Sequence, residues 1–230
     1  MSSSRLPGKA FMDISGKSLI QRVIERTKCL KLIDHITLAT STEPEDDIIA
    51  SYAKKHKIDV FRGSLNDVAG RAMEVCKHYK YDDFIRICGD RPFFDVELYD
   101  HLISIHTKNN FDLTTNIFPR NVPPGFTCEI IKVNTFSEIL QLTFKPEDRE
   151  HVTTYFYRNS SNFSITNVEF KKQYNLPELR LVIDDKDDLQ RARWIAKNSK
   201  EKKCNYDSDK IISLAMEWDK QSEFFKNKNI

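Results

Sequence analysis

Residues 83–92 read DFIRICGDRP, and the order of residue types here decides how the rest of the chain is read. Phe84, Ile85, Ile87 and Cys88 form an apolar, β-branched run too short for a helix, which predicts a buried strand over 83–88. The run stops at Gly89-Asp90, so a permissive residue and a carboxylate fall at the strand's carboxyl end. In open α/β sheets that is where ligands bind. Upstream, 35–40 (HITLAT) and 58–62 (IDVFR) read as further short strands. Between and before them, 18–30 carries apolar residues at helical spacing, and 44–56 has acidic residues in its first turn and lysines in its last, as a helix dipole prefers. Segments 67–79 and, downstream, 96–106 also read as helices. Strands separated by helices of about ten residues mark βαβ units. The expected fold is α/β, a mostly parallel sheet with flanking helices.

Beyond Phe111 the pattern changes. Segments 112–116 and 128–133 read as strands flanking a Pro-rich loop, 119–125. Helices are expected at 134–142 and 149–159, strands at 163–170 and 179–184, and helices again at 187–198 and 209–219. The change divides one domain, 1–199, into halves 1–110 and 111–199, followed by a Lys-rich extension, 200–230, with a helix.

At 230 residues the chain is long enough for a sizeable core. Lys+Arg (36) nearly cancels Asp+Glu (34), and a net charge of +2 argues against a nucleic-acid binder held by bulk electrostatics. No apolar run approaches the roughly 20 residues of a membrane span, and the first residues lack the apolar region of a signal peptide. A soluble, cytoplasmic protein is expected. Five cysteines, Cys29, Cys76, Cys88, Cys128 and Cys204, are odd in number and widely spaced without C-x-x-C. That argues against a disulfide framework and a structural zinc site, and leaves them as small buried hydrophobes.

Four polar clusters offer chemistry. Ser3-Ser4-Arg5-Leu6-Pro7-Gly8-Lys9 sets two hydroxyls, a guanidinium and an ammonium on a Pro-Gly turn, the groups a polyphosphate needs; the same residues also suit a disordered polar terminus. It is not a Walker A loop. Asp90 suits Mg²⁺, which takes one or two carboxylates alongside phosphate oxygens and water, and equally suits a turn or helix cap. Asp184 ends another strand-like run; it would complete the same metal site or cap the next helix, for which Asp185, Asp187 and Asp188 are cap and first-turn residues. In Asp148-Arg149-Glu150-His151-Val152-Thr153, Arg149 suits bidentate pairing with a substrate carboxylate and His151 a sugar hydroxyl or a proton transfer. A solvated helix start is the alternative there.

Taken in order, these motifs resemble the cytidylyltransferase family of the spore-coat polysaccharide protein SpsF. More distantly they are similar to the CMP-sugar synthetases that activate 3-deoxy-manno-octulosonate and sialic acids. The resemblance runs from Ser3 to about Ile195. SSRLPGK matches the family's phosphate loop, and 60–71 (VFRGSLNDVAGR) is similar to its R-G-x-x-x-D-V-x-x-R stretch near the nucleotide. Gly89-Asp90 with Pro92 falls on G-D-x-P, DREHVT at 148–153 is a mark of the SpsF branch, and 179–189 resembles L-R-L-x-V-D-x-x-x-D-L. The resemblance implies a Rossmann-like nucleotide-diphospho-sugar transferase fold of the glycosyltransferase-A type, often dimeric. It implies transfer of CMP from CTP to a sugar or sugar acid with release of pyrophosphate, in surface polysaccharide or glycan precursor synthesis. Arg5, Lys9 and Asp90 would be catalytic, and Asp90 and Asp184 would hold Mg²⁺. Ser3, Ser4, Arg5, Lys9, Arg62, Asp67 and Arg71 would bind the nucleotide, and Glu129, Arg149 and His151 the acceptor.

Three departures stand out. Arg91 replaces a Cys or small residue after Gly-Asp, and Thr127 replaces the Asp of a G-L-D-x-E stretch. Family members also carry an apolar strand and Q-A-R ahead of the Met of the phosphate loop, which implies a natural start upstream of Met1 and, without that strand, an incompletely paired sheet. Two alternatives follow: a non-catalytic nucleotide- or sugar-binding homologue, and a glycosyltransferase using a preformed nucleotide-sugar, for which Gly89-Asp90-Arg91-Pro92 offers one acid rather than D-x-D.

Overall fold

The computed structural model describes residues 5–143, 145–169, 179–200, 202, 204 and 206–228. Helix α1 (Leu19–Thr27) starts where the Ser18 hydroxyl accepts from the Gln21 amide, and it buries Leu19, Ile20 and Val23, which helical spacing gathers on one face. Then come β1 (Thr37–Ser41), α2 (Asp47–Lys55), β2 (Asp59–Gly63), α3 (Val68–Tyr79) and β3 (Asp83–Ile85). Helix α4 (Val96–Asn109), capped by the Asp95 carboxylate, leads to β4 (Leu113–Thr115) and β5 (Glu129–Lys132). The chain continues through α5 (Val133–Leu142), α6 (Pro146–Glu150), α7 (Thr154–Arg158), β6 (Ile165–Asn167), α8 (Lys186–Ser199) and α9 (Ser208–Lys228).

The architecture is α/β, with helices flanking the strands, but the sheet is mixed rather than mostly parallel. β1 and β2 pair in parallel. A second sheet has the order β3-β5-β4-β6, in which β5 is antiparallel to both neighbours and β6 parallel to β4. The antiparallel return arises because the chain from β4 to β5 contains no helix to carry it across the sheet. Among the described residues no ladder joins β1 to β3.

Adjacent residues of β5 serve two cores. Ile131 packs with Leu113, Met73, Phe136 and Phe156 on one face, while Ile130 joins a larger cluster built from α1, α4, α8 and α9, as the alternation of a strand requires. Segment 179–184, read as a strand, is extended and buries Leu179, Leu181 and Ile183, yet it joins no ladder. Its amides go to two separate loops: Leu181 donates to the Pro124 carbonyl at 2.7 Å and Ile183 to the Asp90 carbonyl at 3.0 Å. The expected helix at 149–159 is interrupted instead, with His151 leaving helical geometry between α6 and α7.

Gly125 is where the Pro-rich loop meets segment 179–184. Its φ is +111°, and a Cβ there would lie 2.7 Å from the Leu181 Cβ and 2.8 Å from the Leu181 carbonyl carbon. Both the conformation and the space demand glycine. Gly125→Ala is therefore expected to destabilise the protein by about 1–3 kcal/mol, read as a lower midpoint in urea denaturation.

The cysteine reading is corrected at two positions. Cys29 and Cys204 form a disulfide across 175 positions, because the segment before α9 returns to the end of α1; Cys76, Cys88 and Cys128 are free. Beside it the Arg26 guanidinium, 1% exposed, lies 3.7 Å from the centroid of the Tyr206 ring and donates to the Phe94 carbonyl at 2.9 Å. That contact returns some of the solvation the buried charge loses. Reduction of the disulfide, or Cys204→Ser, is expected to cost about 2–4 kcal/mol, measured by denaturant unfolding with and without reductant.

Candidate active site

The loop before α1 is anchored at Leu6, which is 3% exposed, and turns through Gly8 at φ 73° into a single 3₁₀ turn, Lys9–Phe11. This turn aims Lys9 back at the carboxyl ends of two distant segments. Its Nζ donates to the Ile183 carbonyl at 2.7 Å and lies 3.3 Å from Asp184 Oδ1 and 3.5 Å from Asp90 Oδ2. Asp184 also meets Arg5 Nη2 at 3.2 Å and Arg180 Nη2 at 2.9 Å through its other oxygen. Of the residues expected at the site, Arg5, Lys9, Asp90 and Asp184 thus come together. Ser3 and Ser4 lie outside the described residues.

Burial works against ionisation of Asp184, but the hydrogen bond and charge of Lys9, with Arg5 and Arg180, outweigh it and hold the carboxyl below the usual aspartate range. The second Asp90 oxygen, Oδ1, is buried and has no hydrogen-bond partner among the described residues. A Cβ on Gly89 would meet nothing within 4 Å, so the backbone beside Asp90 is open to a ligand. Among the described residues no group of three or more His, Cys, Asp or Glu side chains is arranged to hold a metal. Two carboxylates with one unpartnered buried oxygen nevertheless fit Mg²⁺, which takes few protein ligands and completes its shell with phosphate oxygens and water.

Next to Asp90, a second polar cluster surrounds Thr127. Arg91 Nη1 donates to the Thr127 carbonyl at 3.1 Å, the Tyr99 hydroxyl donates to that carbonyl at 2.5 Å, and Arg120 Nη1 donates to the Thr127 hydroxyl at 3.1 Å. Burial disfavours the Arg91 charge, but surrounding groups, Asp90 and Glu129 among them, more than compensate. Arg91 thus lies between Asp90 and the Thr127 carbonyl. Glu129 Oε1 accepts from the Thr153 hydroxyl at 2.7 Å and the Tyr157 hydroxyl at 2.6 Å. Burial and the Glu129 charge push the Tyr157 hydroxyl far above its ordinary value, so it stays a donor. Tyr99, Arg120 and Tyr157 were not picked out by the sequence reading: only folding brings them to Thr127 and Glu129.

The other expected ligands are engaged with the fold. Arg62 donates to the carbonyls of Ser41 and Glu43, both at 2.9 Å, and pairs with Asp47. Arg71 donates to the Ser64 carbonyl, and Asp67 caps α3 by accepting from the Gly70 amide at 2.8 Å. Arg149 donates to the carbonyls of Leu140 and Thr143 around the end of α5 and reaches Asp67 at 3.4 Å, joining an expected nucleotide ligand to an expected acceptor ligand. His151, at the end of α6, is exposed.

A family model described as cytidylyltransferase matches residues 1–227. The chain belongs to the cytidylyltransferase family. The match runs through most of α9. The enzyme is 30% identical over 207 residues to the spore coat polysaccharide biosynthesis protein SpsF of Bacillus subtilis, covering 88% of this chain and 85% of that one. A cytidylyltransferase structure from Leptospira borgpetersenii superposes with a TM-score of 0.87 at 26% identity, covering 94% of this chain and 90% of that one. A CMP:2-keto-3-deoxy-manno-octonic acid synthetase complexed with CTP is similar at a TM-score of 0.64 and 17% identity, over 85% of this chain and 94% of that one. The fold is the Rossmann-like α/β nucleotidyltransferase fold of these structures.

The lysine between the carboxylates makes a titration prediction. The stabilisation that comes from the lowered Asp184 pKa is present above the ordinary aspartate value of 3.8 and is lost as pH falls through the lower, folded value. In Lys9→Met the Asp184 carboxyl is expected to titrate at higher pH than in the wild type, followed by its ¹³C carboxyl shift. An unchanged titration would remove Lys9 as a cause of the shift.

Proposed function

We propose that this cytidylyltransferase transfers CMP from CTP to a hydroxyl of a sugar or sugar acid and releases pyrophosphate, supplying an activated precursor for surface polysaccharide or glycan. The observation that carries the reading is the convergence of Lys9, Asp90, in the turn beyond β3, and Asp184, at the end of segment 179–184, beside the open backbone of Gly89. The acceptor oxygen attacks the α-phosphorus, forming a new P–O bond as the bond to the β-phosphate breaks, and the hydroxyl proton passes to water. Arg5 and Lys9 neutralise the triphosphate and, with Ser3 and Ser4, orient it, so that catalysis is positioning and charge compensation without a protein nucleophile. Asp90 and Asp184 are the residues that would hold Mg²⁺, which when bound withdraws charge from the phosphate oxygens.

On the acceptor side we assign Glu129, whose Oε1 accepts from two hydroxyl donors, together with Arg149 and His151. In this reading the half formed by 1–110 serves the nucleotide and the half formed by 111–199 the acceptor, in a cytoplasmic homodimer. No described helix is long and apolar enough to cross a membrane.

Pyrophosphate release should be measured with each of four nucleoside triphosphates against a panel of neutral sugars and sugar acids. Turnover is expected with CTP, and Asp90→Asn or Lys9→Ala should lower kcat by about a hundredfold or more. Near-normal turnover in either variant would sink the assigned roles.

A further inference from the structure

We infer that the C-terminal helix α9 is a positioning element for the Asp184 carboxylate, acting through a chain of charged groups, Asp219–Arg191–Asp188. The inference rests on the reading of Asp184 as a metal-binding carboxylate and assigns a role to a segment that touches neither nucleotide nor acceptor residues by any bond described above.

The direction in which Asp184 presents its oxygens is set by the backbone at 183–185, which belongs to no strand ladder. One side of that backbone is held by Ile183 donating to Asp90. The other is held by Asp188, one of whose oxygens accepts from the amide of Asp184 at 2.9 Å and from that of Asp185 at 3.3 Å. Asp188 is therefore more than the partner of Asp185 in the capping box of α8. Its second oxygen takes Arg191 Nη2 at 2.7 Å, and the two side chains are 8% and 14% exposed. Arg191 extends the chain outward, with Nη1 at 3.2 and 3.4 Å from the two oxygens of Asp219 on α9.

Each link has a physical purpose. A carboxylate as buried as Asp188 needs hydrogen-bond donors around it, and a guanidinium held between two carboxylates is restricted in orientation. Ordering Arg191 orders Asp188, and ordering Asp188 fixes the amides on either side of the Asp184 Cα. α9 is firm enough to anchor this. Ile211, Ile212, Leu214 and Ala215 are buried in the main core, and the rings of Trp218 and Trp194 lie 5.9 Å apart next to Asp219. The segment before the helix is fastened by Cys204 to Cys29 and by Tyr206 over Arg26. Outer partners that orient a ligating carboxylate commonly change metal affinity by about 10–100-fold when removed; Asp219 is one link further out, and an effect of about three- to tenfold is expected.

The test uses the full chain and Mn²⁺ as the probe, with binding in the presence of CTP followed by electron paramagnetic resonance. Asp219→Ala should weaken Mn²⁺ binding by about three- to tenfold and raise the Mg²⁺ concentration for half-maximal turnover by a similar factor, leaving KM for the acceptor unchanged. Asp219→Glu should recover most of the loss. Arg191→Met should show a loss of the same kind, and the double variant Asp219→Ala, Arg191→Met should be no worse than Arg191→Met alone. Unchanged Mn²⁺ affinity in Asp219→Ala would overturn the inference, whatever happens to the melting temperature. Fully additive losses in the double variant would overturn it too, because the two residues would not then act in series. Mn²⁺ binding is read without turnover, so the wrong acceptor cannot produce a false failure. A wild-type protein that binds no Mn²⁺ with CTP would remove the metal assignment and this inference together.

Discussion

The ammonium of Lys9 sits among the Asp90 carboxylate, the Asp184 carboxylate and the Ile183 carbonyl, with its side chain 19% exposed. Two carboxylates converging at partly buried loop ends repel each other by several kcal/mol at short range and intermediate dielectric, and a cation between them reverses the sign. The loop from Arg5 to Lys9, the turn at Asp90 and segment 179–184 meet at this contact. A site that requires a cation between two acids in the folded protein is electrostatically matched to Mg²⁺ and polyphosphate chemistry, since each replaces one charge of the cluster with another of the same sign.

The rest of the molecule supplies the frame. Segment 179–184 is not a sheet strand, so its position is enforced from three directions. Pro124 and Gly125 press on Leu181, Asp90 accepts from Ile183, and Asp188 accepts from Asp184. On the acceptor side the same economy appears: Thr127 receives Arg91, Tyr99 and Arg120, while Glu129 receives Thr153 and Tyr157. Arg91 and Thr127, the two positions that depart from the resembled motifs, meet through the Thr127 backbone carbonyl.

The βαβ alternation and the capping residue Asp185 were legible, because each depends on residues close in the chain. The strand expected at 83–88 is shorter, and that at 179–184 is absent as a ladder, because pairing needs a partner that local pattern does not name. Arg62, Arg71 and Arg149 have the chemistry of anion ligands, and each also donates to a backbone carbonyl, a contact that local pattern does not name. The Cys29–Cys204 bond was invisible for a similar reason: spacing along the chain says nothing about a Cα–Cα distance of 5.3 Å made by a returning segment.

What the sequence by itself determined was the set of parts. These were strands and helices in alternation, carboxylates at Asp90 and Asp184, a Pro-Gly turn carrying Arg5 and Lys9, and a motif order that resembles a cytidylyltransferase. Side-chain chemistry and local periodicity suffice for that. The tertiary structure alone decided which parts meet: Lys9 with Asp184 across 175 positions, Arg91 with Thr127, and α9 with the amide of Asp184 through Arg191 and Asp188. These are long-range contacts whose geometry is set by packing around the two cores. No local rule of spacing or propensity contains it.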